Sequence, residues 1–337
     1  MDPSRPVDTS RPLAAGSISL RLYPHLELSA QETVRELRVQ AVLGVEAGFD
    51  GVMTSEHHGG FAGYMPNPLQ AAGWLLEAMP TGWAAPCPLL LPLRPPALVA
   101  EEVAWLAARF PGRVGLGLAA GSLDADFDIM GLTKDDLTRR FEQGMTLVAG
   151  ALGGTDPGLL AHDPAIARCT IDPVPVVSAA MSTVAVRRAA SLGVGLLFDS
   201  LSAPARIRTL SDAYRAAGGH GPCVLVRRAW VGAPPTDATA RQLDRYRSYA
   251  SAGAQVHWQD DQLLAAPDGA TLAGDLAAVT ARAGVDAINL RIHVPGVSPT
   301  TARDQIAAMG DVLTELRRAT GPEGPRPHRS HGSHHAP

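Results

Sequence analysis

A carboxyl group and two imidazoles stand together early in the chain, at Glu56, His57 and His58. They follow the short apolar run 51–54, which reads as a buried strand, and they precede a glycine pair. Alternating β/α proteins place their chemistry at such strand ends, and an imidazole exchanges protons near neutral pH. The position indicates an acid–base site, although three polar residues at the start of a loop give the same pattern.

Two further strand ends have an unusual composition. Cys87-Pro88 lies inside the apolar run 83–91, and because proline cannot donate to a central ladder, the strand must bulge or kink there. The run 115–118 is followed by Ala119-Ala120-Gly121-Ser122. Such small residues let a flat ligand approach the backbone closely, although a tight turn into a helix favours them as well.

Another strand end suggests a phosphate site. Ser178 closes the apolar run 174–178, and Met181, Ser182 and Thr183 begin a helix shortly after it. The free N–H groups and the dipole of a helix start, together with two hydroxyl groups, suit a phosphate. Ordinary N-capping by Ser182 explains the same residues.

The elements that must position these residues alternate between apolar β-type runs and helical periodicity. The runs lack polar alternation, as expected when both faces of a parallel sheet are buried. Eight β/α units predict an α/β fold of the (β/α)8 TIM-barrel type. Two Rossmann-like halves are disfavoured because no Gly-x-Gly-x-x-Gly turn follows the first strand. Strands are expected at 17–22, 51–54, 83–91, 114–118, 174–178, 194–198, 224–231 and 287–292, and helices at 30–47, 67–78, 95–109, 134–152, 182–192, 203–217, 237–252 with 271–283, and 300–319.

The barrel is predicted to occupy residues 16–319 as a single domain, between a disordered arm at 1–15 and a disordered His/Pro-rich tail at 320–337. The histidines of the tail could bind a metal, but flexible His-rich tracts are compositional signals only, so no metal site is predicted. The stretches 153–173 and 253–269 carry no clear element. Connections of that length are often lids, so one or two extended loops are expected over the carboxyl-terminal mouth.

The overall composition disfavours several other classes of protein. The formal charge of −4 and the lack of a basic run argue against a nucleic-acid partner. No stretch reaches the ~18–20 apolar residues that cross a bilayer, so no membrane association is expected. Cys87, Cys169 and Cys223 lack Cys-x-x-Cys spacing. Neither a disulfide framework nor a structural zinc site is therefore indicated, and a cytoplasmic location is expected.

Taken together, several motifs resemble the bacterial luciferase-like flavin monooxygenase family, from about Ser17 to Ala319. Their order and spacing carry the resemblance, rather than any single motif. The resemblance implies a TIM barrel that binds reduced FMN, or the related deazaflavin F420, at its carboxyl-terminal mouth. The motifs are Ser55-Glu56-His57-His58, Met65-Pro66-Asn67-Pro68, Leu91-Pro92 with Pro95-Pro96, Ala100-Glu101-Glu102-Val103, Pro111-Gly112-Arg113-Val114-Gly115-Leu116-Gly117, Asp126-Phe127 with Gly131, and Ser182 with Ala189-Ala190-Ser191-Leu192-Gly193.

The resemblance also implies roles for matched positions. His57 would lie beside the reactive edge of the flavin, with Glu56 as the second catalytic candidate. Cys87-Pro88 falls where many members have a cis peptide bond behind the flavin ring. The other implied cofactor contacts are Ala119, Ala120 and Ser122 along the ribityl and phosphate arm, and Ser178, Met181, Ser182 and Thr183 near the phosphate.

One position departs from the family pattern. Luciferase proper has an arginine that helps to hold the phosphate where this chain has Ala120. Losing a charge-assisted hydrogen bond of ~1.5–3 kcal/mol would weaken the retention of FMN, unless another basic residue such as Arg187 compensates. The choice between FMN and F420 therefore stays open.

The leading functional prediction is a flavin-dependent monooxygenase. It would use O2 and reduced FMN, supplied by a separate flavin reductase, to oxygenate a small organic substrate. An F420-dependent dehydrogenase or reductase is the first alternative, and a non-catalytic luciferase-like subunit is the second. A homodimer is expected by analogy with the family. Substrate contacts are predicted at His58, Phe61, Tyr64, Arg228, Trp230, Arg291 and His293, on the basis of their places at strand ends.

Overall fold

The computed structural model of the protein describes residues 11–61, 63–250, 255, 256, 258 and 262–320. Within these residues, strands and helices alternate along the chain. The strands are β1 (Ile18–Arg21), β2 (Gly51–Thr54), β3 (Trp83–Pro86), β4 (Leu89–Leu90), β5 (Leu116–Ala119), β6 (Val176–Ala179), β7 (Gly195–Phe198), β8 (Cys223–Val231), β9 (Leu263–Ala266) and β10 (Ala287–Arg291). The helices are α1 (Ala30–Glu46), α2 (Pro68–Ala78), α3 (Pro96–Arg109), α4 (Asp124–Ile129), α5 (Leu137–Leu152), α6 (Pro164–Arg168), α7 (Thr183–Ser191), α8 (Pro204–Ala216), α9 (Thr236–Tyr249), α10 (Gly269–Ala283) and α11 (Pro299–Thr320).

The strands form one parallel sheet in the order β3-β2-β1-β10-β8-β7-β6-β5-β4. β3 and β4 are two halves of one barrel strand, which is interrupted at the cis peptide bond Cys87-Pro88. Backbone bonds from Ala84 N to Arg113 O (3.0 Å) and from Gly115 N to Ala84 O (3.1 Å) join the first half to the chain before β5. The sheet therefore closes into a barrel with eight strand positions, which confirms the predicted TIM-barrel fold.

Helix ends follow the signals that the sequence carries. The Ser29 hydroxyl accepts the N–H of Glu32 at 3.3 Å, and the Glu32 carboxylate accepts the N–H of Ser29 at 2.9 Å. This capping box sets the start of α1. Gly284 closes α10 at a φ of +63°, a left-handed conformation that favours glycine. The predicted strands and helices are all present in the described residues, with ends shifted by at most three residues.

The barrel interior is filled by apolar side chains from inward-facing strand positions. Leu13 belongs to the same cluster and is completely buried. The hydrogen bond from Gly16 N to Asp286 O (2.7 Å) fixes this segment beside the start of β10, so Leu13 closes the amino-terminal end of the barrel. The prediction of a disordered arm is therefore wrong for residues 11–15, while residues 1–10 lie outside the described part of the chain.

The two long connections differ from each other in position. Residues 153–173 join α5 to β6, and they carry α6 and a 3-10 turn at Gly158–Leu160. Because a connection from helix to strand lies at the amino-terminal end of a barrel, the idea that this stretch covers the mouth is wrong. The stretch 253–269 is not structureless, since β9 lies within it and pairs in parallel with β8, outside the barrel order.

The second connection does reach the mouth. Trp258 forms an antiparallel bridge with Ser202, which follows the carboxyl end of β7. Gln259, Asp260-Asp261 and the His-rich tail from 321 onward lie outside the described residues. Of the helices that the structure describes, none combines the length and the apolarity needed to span a membrane.

Candidate active site

A cavity of about 550 Å³ opens at the carboxyl-terminal ends of the barrel strands. Leu90 and Leu197 contribute to its apolar walls. The segment Ala119-Ala120-Gly121 forms a wall without any side chain longer than a methyl group. Its lining groups include His57 at one side and two arginines at another. A concave, mainly apolar volume with a few placed polar groups is typical of a small-molecule site.

His57 projects into the cavity from the chain just after β2. Its Nδ1 donates to Oδ2 of Asp126 at 2.7 Å, and Oδ1 of the same carboxylate accepts the backbone N–H of His58 at 2.8 Å. Asp126 lies on α4 and is completely buried. Because a carboxylate only accepts, this pair holds the ring with Nε2 as the nitrogen left for the cavity. That is the arrangement that general acid–base chemistry needs.

Aromatic rings surround the imidazole of His57. The ring centre of Tyr64 lies 4.5 Å from that of His57, and the ring centre of Phe61 lies 4.7 Å from it. The hydroxyl group of Tyr64 forms a hydrogen bond of 2.9 Å with that of Tyr246 on α9. Helix α9 therefore lies across the mouth, and these rings limit the access of water to His57.

Glu56 forms hydrogen bonds with Leu90 of β4, with Arg94 beyond that strand and with its near neighbour His58. Its Oε2 accepts the N–H of Leu90 at 2.6 Å, and its Oε1 accepts Nη2 of Arg94 at 2.6 Å and lies 2.8 Å from Nε2 of His58. The Glu56 side chain is completely buried. These bonds tie the end of β2 to β4. The geometry therefore favours a role for Glu56 and His58 in fixing the cavity wall near Pro88, over the predicted catalytic and substrate-binding roles.

Two arginines line another side of the cavity. Arg21, at the end of β1, donates to Oδ1 of Asn289 at 2.6 Å and to the carbonyl of Cys87 at 2.9 Å. Arg291, at the end of β10, places its guanidinium carbon 4.4 Å from the ring centre of Tyr23. Both guanidinium groups are buried in the protein, so the cavity contains two fixed positive charges.

The tyrosine beside these arginines responds to their charge. Burial raises the pKa of Tyr23, but the charges of Arg291 and Arg21 outweigh burial, and the pKa is lowered. Burial likewise lowers the pKa of Arg291, yet Tyr23, Tyr246 and Tyr64 outweigh it and raise the pKa above the ordinary value. Arg291 therefore stays charged at every physiological pH.

The predicted cofactor contacts divide into two groups. The first group lines the cavity and consists of His57, Pro88, Ala119, Ala120, Ser122 and Met181. The structure thus brings together positions that lie far apart in the sequence, as a barrel mouth requires.

The other four predicted cofactor contacts lie beneath or beside the cavity. Cys87 is completely buried below it, and burial raises the pKa of its thiol to about 11. Ser178 is buried at an outward-facing position of β6. Ser182 and Thr183 are exposed at the rim, where the Ser182 hydroxyl accepts the N–H of Ala185 at 3.2 Å and caps α7. A phosphate contact at this helix start stays a prediction.

Basic side chains lie close to both segments that would hold a phosphate. Nη2 of Arg206 donates to the carbonyl of Met181 at 3.1 Å, and Nζ of Lys134 donates to the carbonyl of Ser122 at 2.8 Å. Arg187 is exposed on α7. Arg206 and Lys134 are therefore better placed than Arg187 to compensate for an arginine missing at Ala120.

Two of the predicted substrate contacts, Tyr64 and Arg291, line the cavity. Phe61 lies behind His57 and borders a neighbouring hollow. The predicted contacts on β8 do not open into the cavity, because helices cover the end of that strand. Arg228 donates to Gln242 of α9.

The remaining two predicted substrate contacts are packed among neighbouring side chains. Trp230 is buried in a cluster with Ala238 of α9 and Ala302 of α11. His293 is buried with its ring centre 4.3 Å from that of His25. Neither side chain belongs to the cavity lining.

The residues of the site that were not predicted include Arg21, Tyr23 and Asp126. Arg21 and Tyr23 alternate with the core positions Leu20 and Leu22 at the end of β1, so period-two alternation could have found them. Asp126 stands in a matched motif, but no spacing signal shows that α4 turns its carboxylate toward His57, which lies 69 residues earlier.

His293 offers a test of pH-dependent stability. Burial, helped by the charges of His25 and Arg291, lowers its pKa well below the ordinary value. In the unfolded chain the pKa returns to ~6.5, so unfolding takes up a proton, and stability falls as the pH drops below that value. When the pH is lowered from 7.5 to 5, the free energy of unfolding should fall by about 2 kcal/mol less in His293→Phe than in the wild type.

Urea unfolding at several pH values provides the measurement. The exposed His220 supplies the matched control, since His220→Gln also removes one imidazole and should follow the wild-type curve. An equal acid-induced loss in wild type and His293→Phe would show that this buried imidazole does not set the pH dependence.

The geometry and the comparisons with known proteins agree on the class of protein. A closed parallel barrel with a buried Asp–His pair at its carboxyl-terminal mouth is the arrangement of a TIM-barrel enzyme. The family model described as luciferase-like monooxygenase matches residues 18–315. The chain belongs to the luciferase-like monooxygenase family, which is a family of oxidoreductases.

The curated relatives match the chain over a limited segment. The alkanal monooxygenase alpha chain of Photorhabdus laumondii subsp. laumondii is 30% identical over 112 residues, which cover 33% of this chain and 31% of that protein. The chain spans less than a third of the length of the curated relatives it matches, from 23% to 31%.

Solved structures share the fold over nearly the whole chain. The oxygenating constituent of 3,6-diketocamphane monooxygenase from Pseudomonas putida, a type II Baeyer–Villiger monooxygenase in complex with FMN, aligns with a TM-score of 0.68 at 15% identity, covering 89% of this chain and 98% of that one. An F420-dependent secondary alcohol dehydrogenase in complex with an F420–acetone adduct aligns with a TM-score of 0.67 at 17% identity, covering 89% and 99%. At these identities, the likeness establishes the fold alone.

Proposed function

We propose that this chain is a flavin-dependent monooxygenase that uses reduced FMN and O2 to oxygenate a small organic substrate. The observation that carries the proposal is the buried Asp126–His57 pair, which presents Nε2 to an apolar cavity of about 550 Å³. The alkanal monooxygenase and the FMN-bound Baeyer–Villiger enzyme support the reaction type by analogy. As in other two-component systems of this kind, a separate reductase would supply the reduced flavin.

The cavity lining fits a flat ring system. Ala119, Ala120 and Gly121 leave the space along β5 open, and Pro88 and Leu90 border it on the next barrel strand. Arg21 holds the carbonyl of Cys87 at 2.9 Å, which fixes the backbone behind this space. A bound reduced flavin supplies the electrons that activate oxygen, and the protein supplies its position and surroundings.

The residues of the chain have separable tasks in this reaction. His57 would exchange a proton through Nε2 at the reacting edge, and Asp126 keeps that nitrogen directed into the cavity through the 2.7 Å bond to Nδ1. Tyr64 and Phe61 shield the imidazole on the solvent side. Exclusion of water from the apolar cavity protects a reactive oxidant from unproductive decay.

The second candidate function is an F420-dependent dehydrogenase or reductase. Ala120 favours it, because the phosphate-binding arginine of luciferase is missing at this position. In that reaction His57 would exchange a proton with a hydroxyl or carbonyl group of the substrate. The third candidate, a non-catalytic subunit, is disfavoured because the Asp126–His57 pair is complete.

Cofactor binding separates these candidates. The full-length chain is mixed anaerobically with reduced FMN or reduced F420, and the midpoint of thermal unfolding is followed against ligand concentration. A ligand at 100 times its Kd stabilises the native state by about 2.7 kcal/mol. We expect FMN to raise the midpoint at lower concentrations than F420. Preferential protection by F420 would replace the proposal with its alternative, and protection by neither would refute both.

A single substitution tests the departure at position 120. Ala120→Arg restores a guanidinium at the mouth, and a new charge-assisted hydrogen bond of ~1.5–3 kcal/mol corresponds to roughly tenfold or greater tightening of FMN. Isothermal titration with oxidised FMN measures this. Arg187→Gln is the control, and it should leave the affinity unchanged, because the better-placed bases are Arg206 and Lys134.

The proposal includes an assembly and a location. A homodimer is proposed from family analogy, and sedimentation velocity tests it. A cytoplasmic location is supported by Cys87, Cys169 and Cys223, which are all free and buried.

A further inference from the structure

Three arginines occupy one layer of the barrel on adjacent strands. Arg291 of β10 is the register partner of Arg228 of β8. On its other side, Leu290 pairs with Leu20 of β1, which places Arg21 next in register beside Arg291. The exposed fractions of Arg21, Arg228 and Arg291 are only 3%, 1% and 5%, so this is a buried layer of positive charge.

Arg21 and Arg291 reach the cavity, and they are held by uncharged groups. Arg21 donates to the amide oxygen of Asn289 and to the carbonyl of Cys87. Arg291 donates to the carbonyl of His293 at 3.3 Å and lies over the ring of Tyr23. In the described part of the chain, neither guanidinium group forms an ion pair. Two like charges are therefore buried side by side with no Asp or Glu partner in the described residues, and the acidic groups that face Arg291 are the phenols of Tyr23, Tyr64 and Tyr246.

The carboxylates in the cavity wall are occupied by other partners. Glu56 is bound by Arg94 at 2.6 Å. Asp199 accepts the backbone N–H groups of Leu201 and Ser202, each at 2.7 Å, and so stabilises its own turn. An unpaired buried charge is costly, and planar guanidinium groups match the two oxygens of a carboxylate. A negatively charged ligand group would satisfy both arginines at once.

The remainder of the cavity suits an apolar ligand body. Leu197, Phe198 and Val226 line the region between β7 and β8. The cavity thus offers positive charge on one side and hydrocarbon on the other, which matches an amphipathic organic acid.

A second hollow beside the cavity extends the positive charge toward solvent. It measures about 290 Å³ and is bordered by Arg241 and Arg245 of α9, with Phe61 and Tyr246 next to the main cavity. The guanidinium carbon of Arg245 lies 4.7 Å from the ring centre of Phe61. Positive side chains at an entrance raise the local concentration of anions and speed their capture.

We propose that the substrate is an organic acid with an apolar body, whose carboxylate or sulfonate group binds between Arg21 and Arg291. The assignment of this acid as the substrate depends on the proposed monooxygenase function, whereas the anion site itself can be tested without any flavin.

The test uses three probes of matched shape. Phenylacetate and phenylmethanesulfonate carry a negative group, and phenylacetamide is the neutral counterpart. Isothermal titration of the full-length chain, first without cofactor and then saturated anaerobically with reduced FMN, gives the Kd of each probe. We expect the better acid to bind at least tenfold more tightly than the amide in both states, and the comparison of the two acids identifies the preferred anion.

Variants locate the binding site. Arg291→Gln should weaken the binding of the acid at least tenfold and change the affinity for the amide less than twofold. Arg291→Lys should retain part of the preference for acid over amide. Arg38→Gln changes the net charge equally on the exposed face of α1 and should leave all three affinities unchanged. Because the preference for acid over amide is measured on the wild type, the test does not depend on the folding of any variant.

Three results would overturn the inference. Equal affinity for acid and amide would show that the arginines do not select an anion, and no binding of either acid at millimolar concentration would show the same. Competition between reduced FMN and the acid would assign the arginines to the cofactor. Binding of the acid without binding of FMN or F420 would instead leave the anion site standing and refute the proposed function.

Discussion

Replacement of His57 by glutamine is expected to lower turnover by about 100-fold to 10,000-fold, the range that general acid–base catalysis contributes. Glutamine keeps a polar side chain but cannot exchange a proton. Turnover is followed as substrate-dependent oxygen consumption with a flavin reductase present, or by cofactor absorbance if F420 proves to be the cofactor. Flavin affinity should change little, because the proposed cofactor contacts include several cavity residues besides His57.

A double-mutant cycle shows whether Asp126 acts through His57. Asp126→Asn leaves one acceptor oxygen in place of two, so the side chain can no longer accept from both His57 Nδ1 and the N–H of His58. It should therefore lower turnover and alter the pH profile of the remaining activity. In the His57→Gln background the same substitution should have almost no further effect, since residues that act as a unit are not additive. Unchanged turnover in His57→Gln would point to the non-catalytic subunit, and additive losses would separate Asp126 from the histidine.

The fold could be predicted from the sequence because its signals are local. Apolar runs such as 194–198 and the capping box at Ser29 specify their own elements, and eight such units have few ways to close. Two parts of the fold were not predicted. β9 pairs with β8 outside the barrel order, and Leu13 is buried because it fills the open end of the barrel. Both depend on contacts with distant strands, which no local pattern carries.

The sequence allowed prediction of the site residues that lie at strand ends, but not of the residues whose position is set by the packing of helices. His57, Pro88 and Ala119 lie in the cavity because a barrel brings its strand ends together. Trp230 was misassigned because helices cover the end of β8. The orientation of Asp126 depends on how α4 packs, and this packing is set by the whole mouth instead of by its own six residues.

A second large effect is expected from Gly117 of β5, which lies directly beneath the cavity. A Cβ added there would stand 2.9 Å from Cα and Cβ of Cys87 and would overlap its Sγ. Because Cα belongs to the backbone of the neighbouring strand, a rotamer change cannot relieve the contact, and the strand must move. Overpacking of this kind costs up to about 3 kcal/mol and in some cases more. For a chain of 337 residues, Gly117→Ala should therefore lower the midpoint of thermal unfolding by roughly 4 °C.

Two matched variants decide whether this loss arises from the contact with Cys87. Gly274 lies exposed in the interior of α10, and no atom lies within 4 Å of an added Cβ. The same change at that position, Gly274→Ala, should therefore stabilise the protein by about 1 kcal/mol through helix propensity. Adding Cys87→Ala to Gly117→Ala removes the overlapping sulfur atom and should recover part of the lost stability, although the contacts with Cα and Cβ persist. If Gly117→Ala unfolded at the wild-type temperature, the strands beneath the cavity would have to be less tightly packed than the structure shows. The small-residue wall that is proposed to face the cofactor would then lack its rigid support.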